Sequence, residues 1–376
     1  MIAALALRSP HPSPHPALVL VPSVCYTISS AYRRSSKEPR IGTGNEPESL
    51  LGQVVRESRG HYYVRAAGET YICSIRSKLR KRLVYPESDS GLRGATSVKS
   101  VRDLNPVAVG DLVRITVGEG GKGAIDERLP RKNVLARRAS GQRPLRQVVV
   151  ANADQLLTVF SVLQPDFEPK LADRLLTSAE HADLPAVICI NKTDLVAEFD
   201  FRRIGDVYEA AGYRVLYTSA LDGTGLDGLR SALQAKLTVL AGPSGAGKSS
   251  LLNRIQPGLG LKIKQVSAVA GEGTHATTAS QMFDLDIGGS VVDTPGIRYL
   301  DPWQIPQDEL PELFPEMHPY IGRCRFTSCA HVEEPGCAIR RAVEDGSIPS
   351  SRYGSYRELR IELRDAEKRA RYSSGS

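Results

Sequence analysis

Gly242-Pro243-Ser244-Gly245-Ala246-Gly247-Lys248-Ser249-Ser250 has the form G-x-x-x-x-G-K-S. The apolar run Leu237 to Ala241 before it reads as a short buried strand, and Leu251 and Leu252 after it open a helix. Between a strand and a helix, the glycines let successive backbone N–H groups curl round phosphate oxygens while the helix turns its positive end toward them. Lys248 is placed to reach the β- and γ-phosphates, and Ser249 to ligate Mg²⁺.

Upstream, Gln155 to Ser161 is an apolar run of strand length, and Pro185 to Ile190 is a continuous one suited to a central parallel strand covered on both faces. Val148 to Asn152 is a third apolar run of strand length, and Pro169 starts a helix that carries Leu171, Leu175, Leu176 and Ala179 on one face. Strands alternating with helices predict a parallel α/β sheet that binds its ligand at the C-terminal strand ends.

The second of these runs ends on Asn191-Lys192-Thr193-Asp194. A carboxylate at Asp194 can accept from guanine N1–H and N2–H₂, a donor pair that adenine lacks. Asn191 can hold the base and the neighbouring loop, and the Lys192 stem can lie over the purine face. A further strand ends on Ser219-Ala220, whose backbone can touch the guanine O6.

Beyond the phosphate loop, the polar segment Gly271 to Thr278 offers Thr277 or Thr278 as a Mg²⁺ ligand. Val291 to Gly296 then ends a strand with D-x-x-G. There Asp293 would hold the metal through water and Gly296 would sense the γ-phosphate. The elements run base, base, phosphate, switch, switch, whereas an ordinary small GTPase puts the phosphate loop first. The domain therefore reads as circularly permuted, which strand packing tolerates because termini lie at the surface. Ile297 follows D-x-x-G, where many GTPases carry a glutamine that orients the attacking water. His275, on the first switch segment, is the candidate catalytic group beside Lys248.

The rest of the chain divides around this domain, taken as 148–301. Residues 1–45 read as a transit peptide: from Met1 to Lys37 there is no Asp or Glu, and Ser and Pro abound. The Pro and Ser content points to a chloroplast, with the mitochondrion as the alternative. Residues 46–120 alternate in short β-rich runs with turn residues between them, predicting a five-stranded oligonucleotide-binding (OB-fold) barrel. Residues 121–147 read as a basic linker. Arg76, Lys78, Arg80, Lys81 and Arg82, then Arg128, Arg131, Lys132, Arg137, Arg138, Arg143 and Arg146 as a set fit RNA binding; Tyr62, Tyr63 and Tyr71 are available for stacking, though any single one of them is expected to pack the barrel instead. A net charge of +7 agrees with a polyanionic partner.

Residues 302–376 hold Cys324-x₄-Cys329-x-His331-x₅-Cys337, the ligand set of one closed, structural Zn²⁺ site. A basic amphipathic helix is expected after Ser350. Cys25, Cys73 and Cys189 are expected to be inert. No segment reads as membrane-spanning, and without a heptad run a monomer is expected.

Together these features resemble the ribosome small-subunit-dependent GTPase A family (RsgA, also called YjeQ). The resemblance rests on Ile75 to Arg82, Leu129 to Asn133, the permuted GTPase motifs and the Cys-Cys-His-Cys spacing. It implies a GTPase that binds the small ribosomal subunit and its rRNA, assists late maturation, and leaves when GTP is hydrolysed to GDP. His275 matches the family's switch histidine. Ala276 and Ser77 depart from the family pattern, which usually has threonine and glycine at those positions. The alternative is an RNA-binding module that GTP gates with negligible hydrolysis.

Overall fold

The computed structural model describes residues 49–58, 60–84, 105–138, 146–259, 280–293 and 305–373. The expectations for residues 1–45, His275, Thr277 and Gly296 lie outside them. All described residues belong to one compact unit, Pro47–Ser376.

Five strands close a barrel: β1 (Ser49–Ser58), β2 (His61–Ala66), β3 (Glu69–Ile75), β4 (Leu112–Val117) and β5 (Lys122–Arg128). They pair in the order β1-β2-β3-β5-β4, and β4 returns to β1, the Greek-key order of an OB-fold. Alternate residues point inward, so Val54, Tyr62, Val64, Cys73, Val113, Ile115 and Ile125 make one apolar core. Helix α1 (Ser77–Val84) adds Leu79 to that core.

The barrel ends at Arg128, not at 120. The fifth strand was hidden in the expected basic linker because Ile125 is its one fully buried residue among Lys122, Asp126, Glu127 and Arg128. The linker also holds β6 (Val134–Arg138), which pairs antiparallel with β7 (Arg146–Ala151) in a separate two-stranded sheet. Val148 to Asn152 thus stands outside the main sheet. A buried apolar run has the same pattern in either setting, and only the pairing partner distinguishes them.

Tyr62 packs inside the barrel, and one expected RNA contact is corrected: the Arg131 side chain, 8% exposed, makes a two-pronged ion pair with Asp111, at 2.7 Å on each arm.

The main sheet has the order β10 (Arg214–Thr218), β9 (Ala186–Asn191), β8 (Gln155–Ser161), β11 (Leu237–Ala241), β13 (Ser290–Asp293), β12 (Gln281–Asp284). The first five are parallel and β12 is antiparallel. All seven residues of β8 are buried, as a central strand covered on both faces requires. Helices α2 (Pro169–Glu180) and α3 (Glu198–Ala210) cover one face; α4 (Leu226–Leu233) and α5 (Lys248–Ile255) cover the other.

Edge strand β12 pairs with β1 at Gln281↔Arg56, so barrel and sheet are hydrogen-bonded to each other. Arg65 spans the same junction to Asp284 at 2.7 Å, and Val55 of β1 packs in one core with Met282 and Val292.

The C-terminal part consists of short 3-10 turns, α6 (Ala338–Glu344) and the long α7 (Ser350–Ser373). The expected basic amphipathic helix after Ser350 is this α7. Its first turns pack on the cysteine-bearing segment through Tyr356 and Leu359, and its exposed face ion-pairs to α2 through Lys170–Glu358 and Arg174–Glu362.

Beneath those pairs Arg352 is fully buried. It donates to Glu316 through two nitrogens, at 2.7 and 3.1 Å, and to Asp173 of α2 at 2.6 Å. The guanidinium also lies 4.8 Å from the Phe314 ring centre. Burial pushes the Asp173 carboxyl up, and the Arg352 charge pulls it back without fully compensating.

Arg352→Met should destabilise the protein by roughly 3–5 kcal/mol, because two buried carboxylates lose their counter-charge. Urea unfolding followed by tryptophan fluorescence and circular dichroism would read this. Arg230→Ala, which removes only a surface pair with Asp227, should leave the transition in place.

Candidate nucleotide site and metal centre

The parallel strands deliver the site at their C-terminal ends. Register aligns Ser161, Asn191 and Thr218 across β8, β9 and β10, and sets Asp293 of β13 beside Leu240 of β11. The guanine segment, phosphate loop and first residue of D-x-x-G therefore line one edge.

The phosphate loop, 242–247, joins β11 to α5, whose first residue is Lys248. Gly242 has φ 127° and a Cβ there would stand 2.0 Å from the Val159 carbonyl oxygen; Gly247 has φ 95° and a Cβ would stand 2.2 Å from Asn191 Nδ2. Glycine is thus needed at both positions for backbone shape and for space. Lys248 Nζ donates to the carbonyls of Gly242 and Pro243, at 2.8 and 2.7 Å. The ammonium is held across the mouth of the loop, where an anion would lie. Ser244 is exposed, Ala246 buried, and Gly245, Ser249 and Ser250 half-buried along the loop and first helical turn.

Asn191 ties the two halves together. Its Nδ2 donates to the Ala246 carbonyl at 2.8 Å, and its Oδ1 accepts from Thr218 Oγ1 at 3.1 Å. Lys192 adopts φ 62°, which turns its side chain over the strand ends, and Nζ donates to the Gln164 carbonyl. Ser219 Oγ donates to Asp194 Oδ1 at 2.6 Å and accepts from the backbone N–H groups of Leu221 and Asp222. One carboxylate oxygen of Asp194 is thereby fixed in direction, and Oδ2 together with the second lone pair of Oδ1 can accept a donor pair on a base. Ala220 follows on the same turn.

The set that can hold a divalent cation near the phosphates is Ser249 with Asp293. A hydroxyl at the first helical turn and a carboxylate at the adjoining strand end are oxygen donors of the kind Mg²⁺ prefers.

The metal centre lies in the C-terminal part. Cys324, Cys329, His331 and Cys337 bring their ligand atoms within 4.8 Å of one another. Tetrahedral zinc sets edges of ~3.8 Å between sulfurs and ~3.5 Å between sulfur and nitrogen. Here Cys324 and Cys337 Sγ are 3.9 Å apart and stand 3.4 and 3.5 Å from His331 Nδ1, so the donors fit Zn²⁺. Backbone N–H groups of Ala338 and Arg340 donate to Cys324 and Cys337 sulfur at the start of α6, which favours thiolates.

Three further residues hold the metal loop, and no motif in the sequence announced them. The Tyr353 and Tyr356 hydroxyls each donate at 2.8 Å, to the carbonyls of His331 and Ala330. The Glu334 carboxylate accepts from the N–H groups of Ala330, Val332 and Glu333. Burial alone would raise the Glu334 carboxyl, but these N–H groups outweigh it and bring it to about 2. The nearest sequence signal for the tyrosines was their spacing of three residues on one face of α7, which does not say what they touch.

The expectation for Cys73 and Cys189 agrees with the structure. Both are buried, and burial pushes their thiols up to about 11 and about 12. At pH 8 both should resist iodoacetamide in the folded protein and react fully in urea.

A strand-end guanine segment, a permuted phosphate loop and an appended barrel define a circularly permuted P-loop GTPase. The RsgA GTPase family model matches residues 128–303. Curated relatives named small ribosomal subunit biogenesis GTPase RsgA include one from Alkaliphilus metalliredigens, 38% identical over 85% of this chain and 99% of its own length. Another, from Gemmatimonas aurantiaca, is 39% identical over 84% of this chain and 98% of its own. The crystal structure of YjeQ from Thermotoga maritima superposes with TM-score 0.64 at 34% identity, covering 84% of this chain and 99% of the other. That of YloQ, described as a circularly permuted GTPase, gives 0.60 at 30% identity, covering 85% and 96%. This chain belongs to the RsgA GTPase family.

The purified protein should carry one Zn²⁺ by elemental analysis. Cys337→Ser should lose the metal, and Cys73→Ser should keep it.

Proposed function

We propose that this protein is a GTP-hydrolysing assembly factor that binds the small ribosomal subunit, assists its late maturation and is released as GTP becomes GDP and phosphate. The observation that carries this reading is the Asn191–Ala246 hydrogen bond, which links the guanine segment to the phosphate loop in one site. That site shares a sheet with a barrel whose helix α1 exposes Lys78, Arg80 and Lys81. The naming of the relatives as small ribosomal subunit biogenesis GTPases supports the partner.

In this reading Asp194 reads the guanine N1–H and N2–H₂, the Lys192 stem covers the base, and the Ser219-Ala220 turn meets O6. Residues 242–250 hold the phosphates, with Lys248 leaving its carbonyls for the β/γ oxygens. Ser249 and Asp293 hold Mg²⁺, with Thr277 from the first switch; when bound, the cation neutralises charge on the phosphates. Gly296 senses the γ-phosphate and His275 positions the attacking water. An aliphatic Ile297 cannot orient water, so hydrolysis by the protein alone is slow and rises on the subunit. Cys324, Cys329, His331 and Cys337 hold a structural Zn²⁺. The barrel and α1 contact rRNA, and the protein works as a monomer. The leader, which has no acidic residue from Met1 to Lys37, directs it to the chloroplast, which a fluorescent fusion of residues 1–45 would test against the mitochondrion.

GTP hydrolysis by the leaderless protein should be slow alone and rise many-fold with purified small subunits but not with large ones; a rate indifferent to both would overturn the assembly-factor reading. Asp194→Asn should trade GTP for xanthosine triphosphate. Lys248→Ala should abolish turnover, whereas equal behaviour of wild type with GTP and a non-hydrolysable analogue would favour GTP-gated RNA binding.

A further inference from the structure

Beside the metal centre, on the side of α6 and α7, lies a cavity of about 480 Å³ lined by Val332, Glu333, Arg340, Glu344, Tyr353 and Arg357, among others. Nothing in the nucleotide chemistry uses it. Two guanidinium groups and two carboxylates face the same space, yet none of the four is ion-paired among the described residues. Arg340 spends one nitrogen on the carbonyls of Glu333 and Glu334, at 3.1 and 3.4 Å. Arg357 lies over the Tyr353 ring, 6.0 Å from its centre. Tyr353 stacks in turn on Tyr356, at 6.2 Å with 18° between planes, and its hydroxyl is fastened to the His331 carbonyl.

We infer that this cavity binds an unstacked guanine base of single-stranded RNA. Opposite charges held apart round a gap call for a ligand that presents donors and acceptors together. An acidic side chain would meet two carboxylates, and a basic one two guanidinium groups. The guanine edge offers N1–H and N2–H₂ to a carboxylate and O6 and N7 to a guanidinium within one rigid plane. Arg357 supplies the donors and Glu344 the acceptor, while Arg340 is held by the carbonyls of Glu333 and Glu334. The base plane continues the Tyr356–Tyr353–Arg357 stack, since bases stack on aromatic rings and guanidinium planes alike. The balance of two positive and two negative groups selects a base over bare phosphate, unlike the exposed Lys78, Arg80 and Lys81 of α1. The metal loop supplies the rigidity, because Tyr353 is tied to the carbonyl of its histidine ligand.

The inference relies on the proposed function only for RNA as the partner. The test uses the full zinc-loaded chain saturated with GDP, so that no guanine can enter the GTPase site. Fluorescence anisotropy compares oligouridine with the same strand carrying one central guanosine. The guanosine strand should bind about tenfold tighter, the discrimination expected of one two-pronged base contact. Arg357→Ala and Glu344→Gln, both at exposed positions, should bring it down to the oligouridine level with zinc content unchanged. A triple Lys78→Ala, Arg80→Ala, Lys81→Ala variant should weaken both strands and keep their ratio. Equal affinity of the two strands for the wild type would sink the guanine site while leaving the barrel's RNA binding intact. A guanosine preference that survives both cavity variants would also overturn it. So would competition by an arginine-rich peptide against a fluorescent copy of itself that the cavity variants abolish, with no base preference in RNA: the cavity would then belong to a protein partner.

Discussion

The hydrogen bond from Asn191 to the Ala246 carbonyl is the constraint on which the nucleotide site depends. The guanine segment and the phosphate loop leave different strands, β9 and β11, separated in the sheet by β8. The ladders through β8 set the strand ends in register, and this side chain ties the two loops directly to each other. It can do so because Gly247 has no Cβ, which would otherwise stand where the Asn191 amide sits. Cutting the chain between these segments and joining it elsewhere changes neither the strand order nor this contact, which is why permutation leaves the site whole.

Permutation alters what the site is attached to. Edge strand β12, between the first and second switch segments, hydrogen-bonds to barrel strand β1, and Arg65 meets Asp284 across the same junction. The strand that lies between those two segments in the chain is therefore anchored on the barrel wall. At the other end of the molecule Arg352 gathers Asp173 and Glu316, so the C-terminal part is pinned to α2 and not merely tethered. Desolvating such a triad costs much of what its attraction returns. Its consequence is orientation: charges buried in this way tolerate only one docking.

Much of the architecture was legible because local patterns carried it. Alternating residues marked β1 to β3, continuous apolar runs marked β8 and β9, and four ligands in one loop marked the metal centre. The failures share one cause. Strand β5 has a single fully buried residue, β7 looks like a central strand but pairs with β6, and Arg131 looks like its exposed neighbours but is buried against Asp111. In each case the deciding contact lies on another segment, and no window of sequence contains it.

By itself the sequence determined the chemistry available: a lysine after a glycine loop, a carboxylate after a buried strand, three thiols and an imidazole within reach of one ion. Residue type and spacing suffice there, because each motif is completed by its own backbone. Tertiary structure decided how those pieces meet. It aligned Asp293 with Leu240, aimed Asp194 through Ser219, fastened the metal loop with Tyr353 and Tyr356, and closed α7 on α2 through Arg352. The physical reason is burial. A charge or hydroxyl removed from water must find its partner wherever packing places one, and packing is a property of the whole chain.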